Sequence, residues 1–132
     1  MTDSANVELV RRTFDAMHRG EHQNAARAFH DDAVWQNTRE FPGPRCCRGP
    51  QAIVDFWTTL VEDFDGTQEV ERIIHDGNTV VIGMHTVGRA RTSGIPSDVR
   101  WAAIVKLRDD RIGRVDVHGS LSKALAVAGM ED

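Results

Sequence analysis

The sequence predicts an α+β domain: three helices in the first half, then a mostly antiparallel sheet with those helices on one curved face, and a short helix at the end. Two observations carry that expectation. Apolar residues recur at helical spacing up to about residue 64, and in alternation after Gly66. Turn residues such as Asp76-Gly77-Asn78 and Asp109-Asp110 separate the alternating runs, as hairpin turns do. The chain has 132 residues, 40% of them hydrophobic and 27% charged, which suits one domain over residues 1–132 with a core that needs no staple.

Taken in order, Ser4 can cap a first helix that runs to Met17, with Val7, Val10, Phe14 and Met17 on one face and Gly20 as its stop. A short second helix fits Gln23 to Phe29, where Ala25, Ala26, Ala28 and Phe29 form a small apolar face. Asp31-Asp32 are expected to break it before a brief strand, Ala33-Val34-Trp35. The Asn37–Gly49 stretch, with two prolines and two glycines, reads as a loop over a site or surface. Pro50 then opens a third helix to about Phe64, striped by Ile53, Phe56, Trp57, Leu60 and Val61. Strands are expected at 67–75, 79–91, 98–108 and 111–118, and a last helix from Ser120 or Ser122 to Gly129.

The net charge of −4, with no basic half or basic run, argues against a nucleic-acid partner. No apolar stretch is long enough for a membrane span, and the N-terminus lacks a signal-peptide core, so a cytoplasmic protein is expected. Cys46 and Cys47 are adjacent, which staples nothing, and neither they nor the i, i+4 pair His18 and His22 has a partner set for zinc. No metal and no cofactor is expected.

Strand alternation sorts two faces. One holds Val80, Ile82, Met84, Thr86, Val99, Trp101, Ala103, Val105, Leu107, Val115 and Val117, and belongs against the helices. The other mixes Val81, Val87, Ala102 and Ile104 with His85, Arg100, Arg114, Asp116 and His118. That mixture is too apolar for water and too charged for a dry core, so a homodimer interface through this outer face is expected, with a plain amphipathic sheet face as the alternative.

At this point the chain resembles the nuclear transport factor 2-like superfamily, on its SnoaL-like side. The resemblance spans essentially the whole chain. It rests on the order of elements and on local matches: Gly20 before an Ala-rich helix, His30 to Trp35, Arg48 to Ile53, Gly94-Ile95-Pro96, and Lys123 to Met130. It implies a cone-shaped, strongly curved sheet wrapped around helices with a pocket between them. Members include ketosteroid isomerases, polyketide cyclases and limonene epoxide hydrolases, so fold does not fix function.

The catalytic groups of those enzymes do not carry over. The isomerase aspartate falls on Asn37, its tyrosine near Thr13 or Phe14, and its second acid near Ala103; this chain has no tyrosine. The hydrolase arginine and aspartates fall near Met84, Thr86 and Val117. The cyclase acid also falls near Val117, with Asp116 and His118 on either side, and a one-residue bulge would turn either of these inward. His118, Asp116 and Asn37 are therefore the candidate acid/base and water-positioning residues. The alternatives are an outer-face pair for Asp116 and His118 and a turn role for Asn37.

A pocket lined by Phe14, Met17, Trp35, Asn37, Phe56, Val80, Ile82, Met84, Thr86, Trp101, Ala103, Val115 and Val117 would suit a hydrophobic polyketide-, steroid- or terpenoid-like molecule. Arg39, Glu40, Arg45 and Arg48 crowd the Pro/Gly loop, either rimming that pocket or simply solvated. Two functions stay open: a cofactor-free cyclase, isomerase or hydrolase, and a non-catalytic ligand-binding or accessory dimer of the same fold.

Overall fold

A computed structural model describes residues 3–39 and 43–132, and Asp3 by its backbone alone; Glu40 lies outside the described residues. Four helices and six strands follow in the order α1 (Asp3–His18), α2 (His22–Arg27), β1 (Phe29–Gln36), β2 (Cys46–Arg48), α3 (Pro50–Glu62), β3 (Phe64–Asp76), β4 (Thr79–Ala90), β5 (Pro96–Arg108), β6 (Arg111–His118) and α4 (Leu121–Ala128).

The strands form one sheet in the order β2-β1-β6-β5-β4-β3. Every neighbouring pair is antiparallel except β1 with β6, which is parallel. The α+β class and mostly antiparallel sheet match the sequence expectation, but the arrangement differs in three places. Two strands stand between the second and third helices, so the chain does not open with three consecutive helices. The second helix ends earlier, at Arg27, so Asp31 and Asp32 do not end it; they lie inside an eight-residue β1, both exposed, where the β1–β6 register shifts between Phe29 and Val34. The Asn37–Gly49 stretch holds β2, three residues that pair Val34 with Arg48, Trp35 with Cys47 and Gln36 with Cys46.

Local chemistry explains the helix ends. Gly49 turns the chain with φ +85 and its carbonyl takes the Ile53 amide, so Pro50 can occupy the first helical position without losing a needed donor. The Ser120 hydroxyl accepts the Lys123 amide at 3.2 Å to start α4. Gly129, with φ +71, closes α4 by the paired bonds Met130 N–H to Leu125 C=O and Gly129 N–H to Ala126 C=O.

The core fills the concave side. Phe14, Trp35, Phe56, Trp57 and Trp101 form a continuous aromatic cluster, with ring centroids 5.6–6.5 Å apart along its contacts. Met17, Val80, Ile82, Met84, Ala103, Val115 and Val117 pack against it.

A second, smaller core lies on the convex side. There α4 lays Ala124 and Leu125 over Val81, Ala102 and Ile104, with Ile74, Leu121, Ala128 and Met130 around them. Three of the four apolar residues behind the expectation of a subunit interface are thus covered by the chain's own last helix, and the fourth, Val87, is 39% exposed. The helices therefore occupy both faces of the sheet rather than one.

Candidate functional site

Each long strand crosses the molecule from one end to the other. At one end lie the Asp76–Asn78 and Asp109-Asp110 turns; at the other lie the end of β4, the start of β5 and the end of β6. The second end is open. A cavity of about 850 Å³ sits there, between the C-terminal half of α3, the first residues of β3, the 90–97 hairpin, and Thr38, Gly43 and Pro44. Phe56, Trp57, Leu60, Val61, Phe64, Ile95, Val99 and Trp101 supply its apolar wall, and His18, Thr59, Gln68, Thr86, Ser93 and Ser97 are among its polar points.

Three local devices shape this mouth. Gly66 and Gly88 face each other across β3 and β4. A Cβ on Gly66 would stand 2.2 Å from the Val87 carbonyl oxygen, and one on Gly88 2.3 Å from that of Asp65; the Phe64 ring lies 2.7 Å from both Cβ positions. Only glycine allows this close approach, which seats Phe64 in the wall. Gly43, with φ +102, lies so near Phe56 that a Cβ would stand 2.5 Å from the ring. The third device is Asp63, which ties the hairpin to the end of α3: its carboxylate accepts the Thr92 hydroxyl at 2.5 Å and the Thr92 amide at 3.0 Å, and its carbonyl accepts the Arg91 amide at 2.7 Å. The Thr92 hydroxyl, then the Thr92 amide, hold the Asp63 carboxyl below its ordinary pKa, because both bonds favour the charged form.

Inside, the register aligns Gln68, Thr86 and Val99 across three strands, with Met84 beside Trp101 one step deeper. The Trp101 indole donates to the Thr86 hydroxyl at 3.0 Å. The Thr86 hydroxyl keeps its own proton for another acceptor, and the Gln68 amide has no protein partner among the described residues. Two buried atoms of residues that border the cavity, Trp57 Nε1 and His118 Nε2, have no hydrogen-bond partner among the described residues. Such atoms ordinarily cost about 1–3 kcal/mol each.

The residues expected from sequence separate into two groups. Phe56, Thr86 and Trp101 line the cavity. Phe14, Met17, Trp35, Val80, Ile82, Met84, Ala103, Val115 and Val117 do not; they are buried in the aromatic-centred core. Strand parity identified their face correctly, but parity says nothing about depth along a strand, and the inner part of the hollow is solid.

The expected catalytic trio is not assembled. Asn37 is buried and tied into the protein: its Oδ1 accepts the Trp35 indole at 2.8 Å, its Nδ2 donates to the Pro44 carbonyl at 2.8 Å, and its backbone N–H donates to the Arg45 carbonyl at 2.8 Å. Asp116 takes two bonds from Arg114, at 2.9 and 3.1 Å, and this partnership raises the guanidinium pKa. The β5–β6 irregularity falls between Lys106 and Leu107, so alternation stays regular from Arg114 to His118. No bulge turns Asp116 or His118 inward: they sit opposite Ile104 and Ala102, on the α4 side of the sheet. His118 borders the cavity only as the end of β6.

Other sequence candidates resolve simply. His18 joins the cavity wall while His22 meets the Thr58 hydroxyl at 3.1 Å, because Gly20, with φ +78, ends the helix between them. His85 lies on the convex face at 2.7 Å from Asp98, and His30 contacts the Arg108 carbonyl. The side chains of Arg39, Arg45 and Arg48 are exposed and outside the wall. Cys47 is buried, and loss of hydration together with the neighbouring Cys46 raises its thiol pKa.

Leu60, Phe64, Gln68, Ile95 and Val99 are wall residues that sequence reasoning missed. Gln68 was legible in principle, since pairing β3 with β4 about the Asp76–Asn78 turn brings it opposite Thr86. The rest depend on where α3 and the 90–97 hairpin meet, which no local pattern encodes.

No helix among the described residues is long and apolar enough to cross a membrane.

Comparison with known proteins now fits this geometry. An uncharacterised protein of Mycobacterium tuberculosis, Rv0034, is 31% identical over 121 residues, covering 87% of this chain and 88% of its own. A nuclear transport factor 2-like protein from Burkholderia xenovorans superposes with a TM-score of 0.80 at 20% identity, covering 94% of this chain and 98% of its own. A protein of ketosteroid isomerase-like fold from Catenulispora acidiphila, solved with trimethylamine, gives 0.73 at 18% identity and 94% coverage of both chains. The SnoaL-like domain model matches residues 10–115, most of the chain, and the chain belongs to the SnoaL-like family.

Proposed function

We propose that the protein binds a hydrophobic small molecule of polyketide, steroid or terpenoid size, carrying a carbonyl or hydroxyl group, in the cavity at the open end of the sheet. One observation supports this reading: an apolar, aromatic-walled cavity of about 850 Å³ is bordered by Thr86 and, opposite it across β3 and β4, Gln68, whose amide has no protein partner among the described residues. Its volume lies within the range of small-molecule sites, and a few fixed polar points in an apolar wall orient such ligands. The Thr86 hydroxyl, polarised by the Trp101 indole, donates to the ligand oxygen, and the Gln68 amide opposite it adds a second contact.

Gln68→Leu tests it directly. Gln68 has no protein partner to lose, so unfolding free energy should change by no more than about 0.5 kcal/mol. Affinity for a steroid ketone such as progesterone, followed by quenching of tryptophan fluorescence, should fall about tenfold, roughly one hydrogen bond's worth. Affinity for the parent hydrocarbon should not change. Equal affinity of both variants for the ketone would remove Gln68 from the site, and no binding by any member of a hydrophobic panel would remove the reading.

Turnover, as a cofactor-free isomerase, cyclase or hydrolase, is favoured by one group. His18 places an imidazole in the same wall with no protein partner among the described residues, whereas the Asp63 and Asp116 carboxylates are held by Thr92 and Arg114. An imidazole can take and return a proton near neutral pH. His18→Gln should abolish turnover while leaving ligand affinity intact.

A further inference from the structure

The register of the long strands divides the floor of the cavity into rows. Gln68, Thr86 and Val99 form one row, and Gly66, Gly88 and Ser97 form the next row toward the mouth. On the inner side the row of Val70, Met84 and Trp101 meets the solid core, with Met84 3% and Trp101 5% exposed. Phe64 fills the glycine row. Its Cζ lies 2.7 Å from the position a Cβ would take at either glycine, so the tip of the ring rests over the paired backbones of β3 and β4. That is one row outward from the Gln68–Thr86 pair. The ring has main chain beneath it, and its base is fixed too: Phe64 pairs with Ala90, and Asp63 before it is tied to Arg91 and Thr92.

A ligand oxygen that reaches Thr86 and Gln68 therefore has the core on one side and the Phe64 ring on the other. The rest of the ligand is left to run outward, between α3 and the hairpin. Exposed apolar surface lies that way. Ile95 is 66% exposed and Val99 48%; both line this mouth, and they are two of the four large apolar side chains left exposed among the described residues. We propose that Phe64 is the specificity-determining residue of the cavity: it admits a ligand oxygen only on a narrow end, and the bulkier apolar body of the ligand lies outward against Ile95 and Val99. This rests on the binding of an oxygenated hydrophobic molecule proposed above, and adds which end of that molecule goes in. The physical reason is packing. Bulk beside the oxygen must displace a ring that is backed by main chain and has no room to give.

The test is isothermal titration calorimetry of the full chain with two ketones that share one aromatic body, methyl naphthyl ketone and tert-butyl naphthyl ketone. The wild type should bind the methyl ketone at least about tenfold more tightly, because added methyl groups that must move a packed ring are poorly tolerated. In Phe64→Ala the space over Gly66 and Gly88 opens, and the ratio of affinities should fall below about threefold. Phe64→Leu keeps an apolar side chain over the glycines and should narrow the ratio partway. It carries the comparison if thermal melting without ligand shows that the alanine variant does not fold. The assignment is overturned by a ratio that stays at the wild-type value in the folded variants, including the case in which both ketones weaken alike. A wild type that binds the two ketones equally overturns it as well. If the wild type binds neither ketone, the ligand class proposed above fails, and the role of Phe64 with it.

Discussion

At the scale of single residues, Asn37 shows how a position can be legible in sequence while its hydrogen-bond partners are not. Its place after β1 was legible, and so was its ability to donate and accept. The partners were not, because they come from Trp35 on the same strand and from the backbone of Pro44 across the loop. Asn37→Ala would leave an indole N–H and a carbonyl without partners inside the protein, so it should lower unfolding free energy by about 2–4 kcal/mol in urea. Equal stability of the variant would mean that water replaces both bonds. Thr86 is the contrasting case. Thr86→Ser keeps the acceptor for Trp101 and the donor for a ligand, so binding should persist; Thr86→Val removes both, and should weaken ligand binding while costing about 1–3 kcal/mol of stability through the orphaned indole.

At the scale of elements, alternation and turn residues gave the four long strands to within a few residues, because a half-buried strand writes its period into the sequence. β2 escaped because three residues are too short to show a period, and its existence depends on pairing with β1. The same limit hides the Asp63–Thr92 clamp, which joins two elements 29 residues apart. Its pH behaviour follows from the lowered Asp63 pKa. The folded protein favours the carboxylate, so the clamp contributes fully above the unfolded pKa of about 4 and is lost as pH falls through the lower folded value. The Thr92 amide resonance should therefore titrate with a midpoint below that of a model aspartate, and in Asp63→Ala the titration should vanish. The facing glycines make a second prediction for this end of the sheet. Gly88→Ala drives a methyl into backbone that has no room to give, so it should cost more than about 2 kcal/mol and disturb Phe64 in the cavity wall.

At the scale of the whole molecule, the two sides of the sheet carry different tasks, and the sequence showed the sides more clearly than what covers each one. Val81, Ala102 and Ile104 announced a second buried face, and the helical pattern of Leu121 to Ala128 was also plain. What joins them is the chain path after His118, which returns α4 across β4, β5 and β6 and covers part of that face. A partner docking on the convex face would meet the strip that α4 leaves uncovered: Glu71 bonded to Arg100, His85 beside Asp98, and the half-exposed Val87. Leu125→Glu tests this division of labour. It places a carboxylate among the buried apolar side chains of Val81, Ala102 and Ile104, so α4 must detach or the acid must take up a proton. The loss should be about 3 kcal/mol or more, typical of a large apolar residue removed from a core, and the exposed patch should make the variant associate as its concentration rises. Sedimentation at several concentrations checks this, and ligand affinity at the open end should survive in the fraction that remains folded, because α4 contributes nothing to the cavity wall.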